Sequence, residues 1–175
     1  MRFLSGVIIG VVLVAALGYW FVGSGKMPVA TSAPALPMER LLAKRALHAA
    51  LTQAPTTVPV EANEAAYLAG AEVYRNDCAV CHGVPGGHIH PIAKGEFPPP
   101  PQLFETTKMV IDDPPGVTFW KAKNGIRLTG MPGFSKSLSE LQLWQVSLLL
   151  ANADKISPAV KQALAETSAA PGQSK

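Results

Sequence analysis

Both cysteines of the 175-residue chain lie in the pentapeptide CAVCH at Cys78–His82, and this pattern restricts the fold more than any other feature. C-x-x-C-H is the attachment pattern of c-type haem. Two thiols spaced in this way on a helical turn can add to the two vinyl groups on one edge of a haem, and the next residue lies under the porphyrin. We therefore predict one covalent haem c, attached through Cys78 and Cys81, with His82 as an axial ligand of the iron.

Three other uses of the two thiols fit the sequence less well. A thiol redox site is typical of a βαβ context, whereas the region around the pentapeptide is predicted as helix followed by a Pro-rich loop. A zinc site needs four ligands, and adding His88 and His90 to the cysteines gives no second pair with a standard spacing and leaves His82 unused. A disulfide between Cys78 and Cys81 would close only a very short loop and stabilise little.

The second axial ligand is predicted to be Met131, in the segment NGIRLTGMPGF at 124–134. Pro132 restricts Met131 towards an extended backbone, and glycines at 130 and 133 let the chain approach a ring closely. A methionine that only fills a core lies more often on a helix face than in a Gly- and Pro-containing loop. The other candidate ligands are Met109, His88 and His90.

An uncharged apolar segment, Phe3–Val22, lies near the N-terminus. Twenty helical residues extend about 30 Å, which matches the hydrocarbon thickness of a bilayer. Aromatic residues at 19–21 would meet the head groups at one end of this span. We predict an uncleaved membrane anchor; the alternative is a cleaved signal peptide, whose apolar region is usually shorter, at about 7–15 residues.

Charge is distributed unevenly along the chain. Residues 1–60 carry a net charge of +4 and residues 61–175 a net charge of −1, so the C-terminal part is close to neutral. A nearly neutral domain without a basic cluster argues against a nucleic-acid partner. The Met131 segment is nevertheless flanked by four cations that could steer an acidic partner: Lys121, Lys123, Arg127 and Lys136.

Helical patterns predominate, and strand-like alternation is scarce, so the predicted fold class is all-α with long loops. One helix is predicted from Asn63 or Ala62 to about Asn76 and another from Asp113-Pro114 to Asn124-Gly125, and Ser157-Pro158 starts a last short helix. A capping box formed by Ser137 and Glu140 opens a helix to about Asn152. The predicted organisation is an anchor at 1–25, a linker at 26–60 with an amphipathic helix at 38–53, a haem domain at 61–155, and a short helix with a polar tail at 156–175.

These motifs together resemble class I cytochrome c, in particular the membrane-anchored bacterial cytochromes with a single haem. The resemblance covers about residues 61–153. It is carried by five segments: Gly70–Tyr74, Cys78–Gly83, Phe97–Leu103, Asn124–Phe134 and Leu141–Leu149.

The resemblance implies two features of the haem domain. Gly70 and Tyr74 should cross the last helix of the domain, with Leu148 and Leu149 in the crossing region and Trp144 one turn earlier. A backbone carbonyl, of Pro91 or of one of Pro98–Pro101, should orient the haem histidine.

The size of the domain predicts which side chains line the haem pocket. A domain of about 90 residues has a thin core, so a covalent haem should supply much of its apolar interior. The side chains expected to line the pocket are Tyr74, Ile92, Leu103, Trp120, Ile126 and Phe134.

The resemblance also implies a function. The expected role is that of a non-enzymatic single-electron carrier on the periplasmic side of the bacterial cytoplasmic membrane, with a dehydrogenase or a terminal oxidase as partner. Attachment of c-type haem outside the cytoplasm would place the haem domain on that side. The alternatives are a fixed cytochrome subunit of a membrane or periplasmic oxidoreductase, and a haem-based gas or redox sensor in which Met131 is a labile ligand.

Overall fold

A computed structural model describes residues 2–104 and 110–165, and within these two ranges the regular elements are all helices. The predicted all-α fold is therefore confirmed. The chain forms two compact units, residues 1–42 and 43–175. The helices are α1 (Arg2–Gly23), α2 (Glu39–Leu51), α3 (Glu64–Val73), α4 (Ala79–His82), α5 (Pro91–Gly95), α6 (Pro115–Asn124), α7 (Glu140–Ala151) and α8 (Pro158–Ala165), with a π-helix at Tyr74–Cys78 and a 3-10 helix at Val110–Asp112.

The N-terminal apolar segment forms a single helix, α1, which includes the whole of the predicted span at 3–22. None of its residues is buried within the protein, and the helix is long and apolar enough to cross a membrane. The next helix, α2, is two residues shorter at its C-terminal end than the predicted 38–53. At its start the Glu39 carboxylate accepts a hydrogen bond of 2.7 Å from the Leu36 amide.

The main core lies where α3 crosses α7 and where α8 packs against α3. Gly70 makes the crossing close, since a Cβ atom at this position would lie 2.4 Å from the Gln145 carbonyl oxygen and 3.1 Å from Leu149 Cβ. The expected placement of Gly70 and Leu149 at the crossing is thus confirmed. The buried side chains of this cluster are Ala71, Val73, Tyr74, Val146, Leu149, Leu150, Ile156, Val160 and Leu164.

A second cluster packs α6 against another part of α7. The rings of Phe119 and Trp144 stack with their centroids 4.1 Å apart, so Trp144 packs against α6. Val58 and Val60, from the region predicted as linker, pack against the same cluster. Because α7 contributes to both clusters, it is the central element of this unit, and seven of its twelve residues are buried.

The helix that starts at Asn63 is longer than predicted. Asn63 caps it as expected by accepting the Ala66 amide at 3.0 Å, but the helical path does not end near Asn76. It continues through the π-helix Tyr74–Cys78 and then through α4, which ends at His82. A π segment widens the helix locally and is often found at functional sites. Here it ends at Cys78, the first cysteine of the CAVCH pattern.

The capping box that opens α7 is two residues later than predicted, so the prediction of Ser137 and Glu140 was wrong. Ser139 is the N-cap, and its side chain and that of Gln142 exchange hydrogen bonds with each other's backbone amides. Leu138 precedes this cap and packs in the same cluster as Leu143, an arrangement that fixes the direction in which the chain enters a helix. A cap at Ser137 would instead use Leu141 for this contact, and Leu141 is exposed.

Two further differences concern the start of α6 and the presence of α5. The helix α6 begins at Pro115, one residue later than expected, and ends as predicted before Gly125, whose φ is +68°. The short helix α5 lies in the segment predicted as irregular loop. The predicted start of α8 is correct, with Ser157 Oγ accepting the Val160 amide at 3.2 Å. The polar tail beyond residue 165 and the candidate ligand Met109 lie outside the described residues.

Candidate functional site

The CAVCH segment is held by contacts on both sides of its last residue. The helix α4 ends at Gly83, which has a φ of +73° and donates its amide to the Ala79 carbonyl at 2.9 Å. The buried Tyr74 hydroxyl donates to the Gly83 carbonyl at 2.7 Å. A Cβ atom at Gly83 would lie 2.4 Å from Gln102 Oε1, so glycine lets the loop at 102 approach closely. The turn after His82 therefore has a defined geometry.

The Pro-rich loop contacts the haem-attachment segment through three hydrogen bonds. His82 Nδ1 lies 2.8 Å from the Pro101 carbonyl oxygen, Leu103 N donates to the His82 carbonyl at 3.1 Å, and Gln102 Nε2 donates to the Cys81 carbonyl at 3.0 Å. The sequence left Pro91 and Pro98–Pro101 as alternatives, and the structure selects Pro101. Because a carbonyl oxygen can only accept, Nδ1 carries the proton, and His82 Nε2 is left as a free lone pair for a metal ion.

The predicted Met131 ligand lies in a loop that is internally hydrogen-bonded. The Ile126 amide donates to the Met131 carbonyl at 3.2 Å, and the Met131 amide donates to Thr129 Oγ1 at 3.1 Å. Gly125 and Gly133 permit the crossing of the two ends of this loop, because a Cβ on Gly125 would lie 2.5 Å from the Gly133 nitrogen. The backbone of Met131 is thus held on both its amide and its carbonyl.

One cavity of about 890 Å³ is bordered by all four predicted site residues, Cys78, Cys81, His82 and Met131. Its volume lies within the ~300–1,000 Å³ range of ligand and cofactor pockets. Its other walls are mainly apolar. They include Leu47, the four prolines at 98–101, Leu103, Ile111, Ala122, Ile126, Phe134, Val146 and Leu150.

The predicted pocket walls are half correct. Leu103, Ile126 and Phe134 border the cavity, as expected. Ile92 and Trp120 do not, and the prediction for them was wrong: Ile92 is 56% exposed on α5, in a segment where the sequence predicted no helix. Tyr74 is fully buried in the core beside Cys78, where its ring packs edge-on against Phe104, and it holds Gly83 without bordering the cavity.

Glu96 is a cavity residue that the sequence did not indicate. The Cys81 thiol donates to Glu96 Oε1 at 3.1 Å, and a Cβ on Gly130 would overlap the same carboxylate. This side chain therefore touches both the attachment segment and the Met131 loop. No spacing in the sequence links residue 96 to either of them, since the contacts are made only when the Pro-rich loop folds back.

Charged groups at the cavity are mostly acidic. Glu96, Asp77, Asp112 and Asp113 border it, and Lys121 is the single Lys or Arg among the described residues that does so, bonded to Asp113 at 2.6 Å. Burial raises the pKa of Asp77.

Both thiols are held in their protonated form when no bond to a cofactor has formed. Burial, followed by the nearby Asp77 and Cys81, raises the pKa of Cys78 to about 12. Burial and the hydrogen bond to Glu96 raise the pKa of Cys81 to about 11. Both side chains are therefore neutral thiols at physiological pH.

Of the rival ligands, His88 and His90 lie within the described residues, and neither borders the cavity. His88 is exposed, and His90 caps α5 by accepting the Ile92 amide at 3.2 Å. Within residues 2–104 and 110–165, no three His, Cys, Asp or Glu side chains form a group that could hold a metal ion, so the geometry gives no support to the zinc alternative. The cavity thus brings together two thiols, an imidazole with an oriented ring, and a thioether. This set of groups fits the attachment and ligation of a c-type haem.

Part of the chain matches a known protein family. Residues 65–148 match the family model described as "Cytochrome C oxidase, cbb3-type, subunit III". The matched segment starts in α3 and ends in α7, and it includes the CAVCH segment, the Pro-rich loop and the Met131 loop. Neither the curated proteins nor the solved structures contain a significant match.

Proposed function

Because residues 65–148 form a class I cytochrome c domain, which binds one haem c covalently, we propose that the protein is a membrane-anchored carrier of single electrons. Cys78 and Cys81 would form the thioether bonds to the haem, and His82 and Met131 would bind its iron. The observation that carries this proposal is the hydrogen bond from His82 to Pro101, in a cavity that both thiols and Met131 border.

Haem c supplies a one-electron Fe(III)/Fe(II) couple when bound, and the chain determines how that couple is used. The Pro101 carbonyl fixes the ring of His82, which prevents rotation away from the iron. Thr129 and Ile126 hold the backbone of Met131. An imidazole and a thioether that both bind the iron would leave no position for a substrate, and this ligand pair would raise the reduction potential. The protein is therefore a carrier, without a catalytic residue of its own.

We place the haem domain at the outer face of the bacterial cytoplasmic membrane. The helix α1 is the anchor in this proposal, since it has the length and composition of a transmembrane span. The residues that follow connect it to the haem domain as a linker. The partners are redox proteins of the membrane, either a dehydrogenase that donates electrons or a terminal oxidase that accepts them.

The Met131→Ala variant tests the axial ligand. The oxidised wild-type protein should show the weak near-infrared band of sulfur-to-iron charge transfer, and Met131→Ala should lose this band and have a lower reduction potential. Met27→Ala is the matched control, because Met27 lies in the N-terminal unit and does not border the cavity. A band that persists in Met131→Ala would show that another residue is the ligand.

A fixed subunit of an oxidase complex is the second candidate function. It is favoured by the description of the matched family model, which names a subunit of a cbb3-type cytochrome c oxidase, and by the single helix that could anchor the chain in a membrane. Native electrophoresis after solubilisation in a mild detergent separates the two proposals. Migration of the haem-stained protein with a catalytic subunit supports the complex, and migration as a monomer supports the free carrier.

A further inference from the structure

Leu128 has a backbone conformation that leucine rarely adopts. Its φ is +60°, at the third position of a turn in which the Thr129 amide donates to the Ile126 carbonyl at 3.2 Å. A positive φ at this turn position favours glycine or asparagine, because a Cβ atom is strained there. The leucine therefore destabilises the turn relative to glycine.

Burial of the Leu128 side chain within the described protein does not offset this strain. It is 92% exposed, the highest value among the exposed large hydrophobic side chains of the described residues. An apolar side chain in a strained turn and in contact with water contributes neither burial nor favourable backbone energy. Such an outlier indicates a role outside the folding of the domain.

The turn of Leu128 is directly attached to the proposed ligand. Ile126 and Thr129, on either side of the turn, both border the cavity and are hydrogen-bonded to the backbone of Met131. A molecule that covers Leu128 therefore lies next to the cavity wall. A partner docked here would be close to the cofactor, as electron transfer requires.

The charges near this turn indicate the chemistry of the partner. Of the four cations that flank the loop, Lys121 is bonded to Asp113 and Lys123 to Glu140. Arg127 and Lys136 are exposed and make no ion pair with another described residue. These two cations are therefore available to carboxylates of a partner.

We propose that Leu128 is the apolar anchor of a docking surface for a redox protein that presents an apolar recess bordered by carboxylates. Leu128 enters the recess, and Arg127 pairs with a carboxylate at its rim. An apolar centre surrounded by polar contacts is the usual arrangement of a protein interface. This inference rests on the proposed function as an electron carrier.

The test uses the full-length haem-containing protein in membranes of its source organism, with NADH as donor and oxygen as acceptor. The haem spectrum reports its rates of reduction and oxidation, and ferricyanide, a small oxidant that needs no docking surface, provides the reference rate. Leu128→Ala removes most of the side chain and keeps the strain, whereas Leu128→Gly also relieves the strain. Ile92→Ala is the control for an exposed apolar side chain that does not border the cavity.

Both Leu128 variants should slow electron exchange with the membrane partner at least about tenfold, since full burial of a leucine changes an association constant by roughly one to two powers of ten. Their oxidation by ferricyanide should stay within about twofold of wild type, and Leu128→Gly should also unfold at a higher temperature. Arg127→Gln should slow the exchange and weaken its dependence on salt.

Several results would overturn the proposal. If the rates of electron exchange with the membrane partner stay at the wild-type value in both Leu128 variants, or fall equally in Ile92→Ala, then Leu128 is not the anchor of the docking surface. The proposed function as an electron carrier would be unaffected by this result. Slower oxidation by ferricyanide would assign Leu128 to the haem pocket, and dissociation of a homodimer by Leu128→Ala would assign it to self-association. A wild-type haem that the membranes neither reduce nor oxidise would overturn the proposed function, and the docking surface with it.

Discussion

Replacing Gly70 by alanine tests whether the α3–α7 crossing determines the stability of the haem domain. A Cβ atom on residue 70 would lie 2.4 Å from the Gln145 carbonyl oxygen and 2.8 Å from its carbonyl carbon, whereas ordinary contacts begin at 3.4 Å. Both atoms belong to the backbone, so no side-chain rotation can relieve the overlap. The helix α7 must move away by about 1 Å, and it carries both hydrophobic clusters.

Two opposing effects determine how much Gly70→Ala changes the stability of the domain. Alanine is favoured over glycine within a helix by about 1 kcal/mol, which would stabilise α3. Overpacking of a close-packed core costs about 1–3 kcal/mol, and the upper end applies here because the helix that must move is packed on more than one side. The expected net destabilisation is about 1–2 kcal/mol. For a domain of this size it lowers the midpoint of thermal unfolding by about 5–15 °C.

Thermal unfolding of the haem-containing protein, followed by far-ultraviolet circular dichroism, measures the effect. Gly95→Ala is the matched control, because a Cβ atom on Gly95 at the end of α5 has no neighbour within 4 Å. This control should shift the stability by less than about 0.5 kcal/mol. If Gly70→Ala unfolds at the wild-type temperature or above it, the close crossing does not determine stability and the reasoning is refuted.

Two further predictions concern the thiols and the cap of α7. In the haem-free protein, alkylation of Cys81 by iodoacetamide should rise about tenfold per pH unit from pH 8 to 10, because its pKa is about 11 and the thiolate is the reactive form. Glu96→Gln should lower this pKa and speed the reaction at pH 8; a wild-type rate that is constant above pH 9 would contradict the prediction. Ser139→Ala should destabilise the domain by about 1 kcal/mol in urea unfolding. Ser137→Ala should change the free energy of unfolding by less than about 0.5 kcal/mol. If the two variants lose the same amount of stability, Ser139 is not the cap.

The helix cap illustrates why sequence patterns predict elements better than their ends. The stretch SLSELQ contains two overlapping capping boxes, Ser137 with Glu140 and Ser139 with Gln142. Both satisfy the same local rule, so the capping-box pattern by itself does not decide between them. The burial of Leu138 beside Leu143 decides, because an apolar contact across the cap is possible in only one of the two registers.

At the site, too, the sequence left alternatives that only the folded structure decided, as the carbonyl that orients His82 shows. Four consecutive prolines at 98–101 are equivalent in the sequence, and each could supply the acceptor. Pro101 is selected because Leu103 and Gln102 hydrogen-bond to the carbonyls of His82 and Cys81, which aligns the loop with the helix end. The acceptor lies 19 residues from the histidine along the chain, and only the folded loop brings the two together.

The amino-acid sequence by itself determined the features that depend on near neighbours along the chain: the haem-attachment pattern, the apolar segment of α1, the all-α class and the methionine between glycines. Tertiary structure alone decided that Pro101 holds His82, that Glu96 joins Cys81 to the Met131 loop, and that Leu128 is exposed in a strained turn. The physical reason is the range of the interactions. Spacing and local conformation act over a few residues, whereas these contacts join segments whose approach is set by the packing of α3, α6 and α7.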